Sequence, residues 1–146
     1  MRQPIRADFA SIVPIRVKWG EVDVLGHVND TVFFRYSEDG RIDYIDTITC
    51  DIPVEASQAP IQADLQCSFL QQLHYPANVE IGTRTRRIGR SSLRLRQALF
   101  MAESDQLIAS YNIIIVWFDY GAQTSMRIPD TIRERIRMHE VVAPEE

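Results

Sequence analysis

The sequence predicts an α+β fold in which a curved antiparallel sheet packs on one long helix. Three observations carry this. Residues 31–49 place apolar side chains at helical spacing. Residues 61–118 hold four runs with strand periodicity, separated by short turns. The order is strand, long helix, four hairpin-linked strands and a short helix, which segregates the helix to one side of an antiparallel sheet. At 146 residues the chain is read as one domain, 1–146, with residues 1–11 and 141–146 as tails.

Each element has its own signal. Val13, Ile15, Val17 and Trp19 alternate with Pro14, Arg16 and Lys18, so the first strand is expected to reach Trp19. Pro14 cannot donate to a ladder and puts the strand's start at a sheet edge or outside the ladder. Residues 20–30 form a loop, and Asn29 or Asp30 is a suitable N-cap for the helix that follows. Phe33, Tyr36, Gly40, Tyr44 and Ile48 make its apolar stripe, with Gly40 suited to close packing against a neighbouring backbone. Asp51, Ile52 and Pro53 end it. Ile61, Ala63, Leu65, Cys67 and Phe69 alternate with polar residues in the next strand, and Ala77, Val79, Ile81 and Thr83 begin the one after. Gly89, Arg90 and Ser91 break the run. Leu93, Leu95, Leu99 and Met101 then face away from Arg94 and Arg96, and Ser104 with Asp105 marks a hairpin turn. The last long strand, 107–118, is apolar on both faces from Ile113 onward, as a central strand would be. Pro129 and Asp130 open a short helix carrying Ile132 and Ile136.

Composition narrows the function classes. The chain is 45% hydrophobic and 25% charged, a globular balance, and its net charge of −4 argues against nucleic acid as partner. The longest apolar run, residues 113–118, is too short to span a membrane. Without an apolar stretch at the N-terminus no signal peptide is visible, and a cytoplasmic location is expected. Cys50 and Cys67 have no metal or disulfide spacing and read as small buried or half-buried thiols. Between Ile81 and Ala102 there is no acid, yet there are six arginines: Arg84, Arg86, Arg87, Arg90, Arg94 and Arg96. Guanidinium forks suit phosphate oxygens, so the stretch reads either as an anion site or as solvated strand faces paired with acids elsewhere.

The chemistry concentrates between the first strand and the long helix. Glu21 and Asp23 supply carboxylates, Gly26 allows close backbone approach, and the chain then enters a helix N-terminus. Free N–H groups there can stabilise an oxyanion. A carboxylate beside such a helix start suits acyl transfer, by direct attack or by activating water. Residue chemistry alone leaves Glu21 and Asp23 equivalent. No Ser-His-Asp or Cys-His arrangement competes, and the acids and three histidines show no metal-ligand spacing. Among the histidines, His27 lies on this loop, His74 precedes Tyr75 and Pro76 in a turn, and His139 lies in the last helix.

The run from Val17 through Trp19, Glu21, Asp23, Gly26, His27, Val28 and Asn29, followed by Phe34, Tyr36, Glu38 and Arg41, resembles the hotdog-fold acyl-CoA thioesterases of the 4-hydroxybenzoyl-CoA thioesterase type. That family typically shows a motif close to W-x-D-x-D-x-x-G-H-V-N-N before its central helix. Here Glu21 replaces the first aspartate and Asp30 the second asparagine. The stretch 88–93 is similar to the family's later strand pair. The resemblance implies a hotdog fold, assembly as a homodimer or homotetramer with active sites at the dimer interface, and hydrolysis of an acyl-CoA thioester, with coenzyme A as part of the substrate and no other cofactor. It selects Asp23 as nucleophile or general base and implies that amides around Val28 to Asp30 polarise the thioester carbonyl. Asn29 is a helix cap with a secondary contact to substrate. Gly26, His27 and Val28 are expected along the substrate, with His27 also packing and holding the loop, and Arg90, Ser91 and Ser92 read either as contacts to the phosphates or pantetheine arm or as a turn with local hydrogen bonds. Asp30 would oppose the developing charge if its carboxylate pointed inward. Two alternatives remain: an enoyl-CoA hydratase of the same fold, disfavoured by the spacing of Asp23 and His27, and a non-catalytic acyl-CoA binding protein.

Overall fold

The computed structural model describes residues 2–146; Met1, part of the expected N-terminal tail, lies outside the described residues. Its elements run β1 (Ser11–Arg16), α1 (Asp30–Thr49), β2 (Gln58–Phe69), β3 (Asn78–Ile88), β4 (Ser92–Met101), β5 (Leu107–Asp119), β6 (Thr124–Ser125) and α2 (Asp130–His139). The sheet is antiparallel in the order β1-β3-β4-β5-β2, with the two-residue β6 beside β5. β1 and β2 flank α1 in sequence yet form opposite edges of the sheet. The fold is the expected α+β hotdog arrangement, one long helix against a curled antiparallel sheet.

Asn29 starts α1: its Oδ1 accepts from the Thr31 N–H at 2.9 Å and from the Thr31 hydroxyl at 2.8 Å. The whole expected stripe, Phe33, Tyr36, Gly40, Tyr44 and Ile48, is buried. Gly40 is needed for closeness, because a Cβ there would sit 3.0 Å from Ile81 Cγ1 and Thr83 Oγ1. Beside it the Gln97 amide donates to the Ser37 carbonyl and to Thr83, which satisfies the polar groups buried under the helix. The core divides along α1. Val17, Val28, Phe33 and Tyr36 gather with Leu73 and Ile81 at its start, and Tyr44 and Ile48 gather with Trp117, Ile128, Ile132 and Ile136 toward its end.

Four expectations are corrected. The first strand ends at Arg16, and residues 19–21 form a 3-10 turn with Trp19 77% exposed. The Glu21 carboxylate reaches back to the Lys18 N–H at 2.7 Å, a local bond that outcompetes the strand alternation. The alternation of β2 is broken by a bulge between Gln62 and Asp64, so Ile61 pairs with Val116 while Leu65 pairs with the buried Ile113, and Ala63 is exposed. Cys50 is exposed, whereas Cys67 is half-buried as expected.

The fourth correction concerns the ends, which are docked. Arg2 grips Asp8 through both guanidinium nitrogens, Arg6 pairs with Glu80 at 2.6 Å, and Phe9 is buried beside Phe100. The Phe9 ring lies where a Cβ on Gly82 would come within 2.6 Å, so this docking needs glycine. At the other end Glu145 exchanges backbone bonds with Arg86 and Ile88 along the β3 edge. Segments this short carry no periodicity to read, and their contacts are long-range. Among the described residues no helix is long and apolar enough to cross a membrane.

Candidate active site

The loop before α1 folds back on itself as a narrow hairpin. Val22 and Val28 form an antiparallel bridge, the Asp23 N–H donates to the His27 carbonyl, and the Gly26 N–H returns to the Asp23 carbonyl. Gly26 takes φ +85°, the left-handed conformation in which a side chain strains the backbone. The Asp23 Oδ1 accepts the Leu25 N–H at 2.9 Å, so the proposed reactive carboxylate also shapes the turn. The loop tip is apolar and in solvent: Val24 is fully exposed and Leu25 is 74% exposed.

Glu21 is occupied elsewhere. The Tyr36 hydroxyl donates to its Oε1 at 2.9 Å, alongside the Lys18 N–H. Burial, reinforced by that carboxylate, raises the Tyr36 phenol above its usual range and keeps it a donor. The geometry therefore separates the two acids: Glu21 ties the loop to the helix, whereas Asp23 makes its side-chain bond only within its own turn.

The amides divide as well. Val28 N–H donates to the Leu73 carbonyl at 2.7 Å and Asn29 N–H to the Glu21 carbonyl at 3.0 Å. Both are committed inside the protein, which corrects the expectation of a run of polarising amides from Val28 to Asp30. The Asp30 N–H, first in the helix, has no acceptor among the described residues. The Asp30 carboxylate accepts the Thr31 N–H at 3.0 Å, a capping position. It nevertheless lines the adjoining cleft, a space of about 270 Å³ whose walls include His27, Val28, Phe33, Phe69 and Leu73. The walls are largely apolar, as a hydrocarbon group requires. The Phe33 and Phe69 rings meet edge to face at 5.2 Å. Asp23 stands on the loop leading into this cleft and is not part of its wall.

His74 was not singled out by the sequence as a site residue. It approaches the loop from the β2–β3 connection, with its Nδ1 3.1 Å from the Gly26 carbonyl and its ring edge-on to His27 at 6.2 Å. Nothing local in the sequence marks this contact, which joins positions 48 residues apart.

The structure does not bring Arg90, Ser91 and Ser92 to this loop. Arg90 and Ser91 lie in the β3–β4 turn and Ser92 begins β4; the turn is pinned by Ile128 N–H on the Arg90 carbonyl, Trp117 N–H on the Ser91 carbonyl and Arg133 on the Gly89 carbonyl. Trp117 and Ile128 belong to the core cluster at the far end of α1. A helix of 20 residues is about 30 Å long, so Asp23 and Arg90 stand near opposite ends of α1. Among the described residues no three His, Cys, Asp or Glu side chains converge as a metal site would need.

A family model described as the thioesterase-like superfamily matches residues 17–136. A thioesterase from Thermus thermophilus, solved with coenzyme A and zinc, is 32% identical, with 91% of this chain and 96% of that one covered and a TM-score of 0.78. The PA5185 protein of Pseudomonas aeruginosa strain PAO1 superposes with a TM-score of 0.81 over 98% of this chain and 99% of its own, and at 22% identity that likeness is one of fold. The chloroplastic acyl-acyl carrier protein thioesterase ATL3 of Arabidopsis thaliana is 25% identical over 84% of this chain. The chain spans somewhat less than two thirds of the length of the curated relatives it matches, 65% for ATL3.

Proposed function

The chain belongs to the thioesterase-like superfamily, and from that premise we propose that it hydrolyses an acyl-CoA thioester to a free acid and coenzyme A. The observation that carries this reading is an apolar cleft walled by Asp30 at the start of α1, directly after the loop that holds Asp23. The acyl group occupies the cleft beside Phe33 and Phe69. The Asp30 amide and the positive end of α1 take up charge on the thioester oxygen. Asp23 either attacks the carbonyl carbon, expelling the coenzyme A thiolate and leaving a mixed anhydride that water then hydrolyses to the acid, or removes a proton from a water that attacks the carbonyl and expels the thiolate directly. His27 and Gly26 line and shape the approach, and Asn29 fixes the helix start on which the amide depends.

Coenzyme A enters as part of the substrate. Arg90, Ser91 and Ser92 are proposed to meet its phosphates or pantetheine arm. Their position at the other end of α1 supports a homodimer or homotetramer in which a second chain's β3–β4 turn completes each site. The exposed Trp19, Val24 and Leu25 around the loop are the kind of surface that such an association would cover.

The test is thiol release from aryl-, short- and long-chain acyl-CoAs by wild type and Asp23→Asn. Turnover by wild type and its loss in the variant is the expected result; equal turnover by both removes Asp23 from the mechanism. A second reading, a non-catalytic acyl-CoA binding protein, draws on the Asp30 carboxylate in the cleft wall. Tight acyl-CoA binding without turnover of any ester would establish it instead.

A further inference from the structure

Apart from Arg90, the arginine-rich stretch is not absorbed by that reading, and the sheet register places the rest of it. Directly opposed residues of antiparallel strands share a face. Arg84 of β3 stands opposite Arg96 of β4, Arg96 opposite Asn112 of β5, and Asn112 opposite Gln66 of β2. One row over, Arg87 faces Arg94, Arg94 faces Ile114, and Ile114 faces Asp64. These rows lie on the sheet face away from α1, since the intervening Thr85, Leu95 and Ile113 are buried beneath the helix side. A bulge between Thr85 and Arg87 inserts Arg86 between the rows. Like charges directly opposite each other repel, and here two such pairs are adjacent.

The acids that would offset this charge are few. Among the described residues Arg84, Arg86, Arg87 and Arg94 make no ion pair, although Asp8 and Glu140 act on Arg84 at longer range. Burial, and then the charges of Arg86 and Arg84, push Arg96 below its usual value. A polar cavity of about 250 Å³ opens where the rows meet, walled by Arg86, Arg94, Gln66, Asn112, Asp64 and Ile114. It lies on the outer face, apart from the Asp23 loop and its cleft.

We propose that this outer-face cavity is a second ligand site, taking a phosphate-bearing small molecule whose oxygens bridge Arg86 and Arg94. Two guanidinium forks converging on one cavity suit a diphosphate or a pair of phosphomonoesters. Gln66 and Asn112 offer amide donors to the remaining oxygens. Asp64, on the opposite wall, repels the anion and suits a ligand hydroxyl. The shared chemistry could come from a free phosphorylated metabolite or from the nucleotide end of coenzyme A.

The test is calorimetric titration of the full chain with pyrophosphate and, separately, with adenosine 3′,5′-bisphosphate. Saturable binding is expected for at least one probe. Arg86→Ala and Arg94→Ala should each weaken it about tenfold or more, Arg94→Lys by less, and Asp64→Asn should tighten it severalfold. Asp23→Asn should leave it unchanged. Binding of pyrophosphate alone identifies a free phosphate ligand, whereas binding of the bisphosphate with displacement by coenzyme A identifies the nucleotide end; both support the site. Melting temperatures of the arginine variants at low salt should hold or rise, because repulsion is relieved. Heats absent for both probes, or indifferent to Arg86→Ala, Arg94→Ala and Arg94→Lys alike, would overturn the proposal. So would a change of molecular mass in Arg94→Ala, which would make this face a contact between copies of the chain.

Discussion

The two ends of α1 rest on the same sheet, yet they are finished differently. At the start, an apolar loop tip stands in solvent, a glycine holds a left-handed turn, and the Asp30 N–H is left without a partner among the described residues. At the far end, Trp117, Ile128, Ile132 and Ile136 are fully buried, and Tyr44 is hydrogen-bonded to both Thr85 and Glu140. The β3–β4 turn there has its carbonyls taken by three separate donors. The start is thus the end that the proposed chemistry uses, and the far end is the more fully hydrogen-bonded one. That firmly held turn sits a helix length from Asp23.

That contrast can be broken by substitution. Asp23→Asn should lower kcat for thioester hydrolysis by about 10²–10⁴, with stability changed by only about 0.5 kcal/mol, read by thiol release and thermal melting. Trp117→Ala should do the opposite, costing about 3–5 kcal/mol of stability by emptying a buried site, read by denaturant unfolding. If Asp23→Asn unfolds the chain while Trp117→Ala leaves it intact, the division between the ends is wrong. Arg90→Ala should raise KM for CoA esters about tenfold at constant kcat, since its side chain is exposed and only its carbonyl is structural. Asn29→Ala should cost about 1 kcal/mol through loss of the cap, with a larger fall in kcat than that figure alone implies, because the cap positions the Asp30 amide.

The smallest effect is a pH dependence outside both ends. Arg2 and Arg6 hold Asp8 and Glu80 below the ordinary carboxylate range. Depressed values mean that these pairs stabilise the docked N-terminal segment above the ordinary range and release it as pH falls through the lowered values. Hydrogen exchange of residues 2–9 should therefore accelerate at acid pH before the core amides respond.

Much of the scaffold was legible because its signals are local. A cap at Asn29 or Asp30, the apolar stripe of α1 and the alternation at the start of β4 each follow from spacing alone. The bulges were not legible: one inserted residue leaves composition unchanged while it moves Ile61 and Arg86 relative to their strands' alternation. Trp19 left the expected strand because Glu21 made a bond that alternation does not register. Asp23, Gly26 and Asn29 of the candidate site lie in one loop that the sequence and the family resemblance single out. The spending of the Val28 and Asn29 amides could not, since their acceptors depend on where Leu73 arrives and how the loop folds back on Glu21. His74 reached Gly26 by the same kind of distant contact.

In the proposed assembly each active site joins Asp23 of one chain to Arg90 of another. Coexpression of Asp23→Asn with differently tagged Arg90→Ala, followed by isolation of the mixed oligomer, tests it directly. Shared sites would give one intact site in each mixed pair. At substrate concentrations below the wild-type KM, turnover should then rise above both parents toward half the wild-type value. Turnover no higher than the mean of the two parents would mean that each chain works alone and would rule out the shared site.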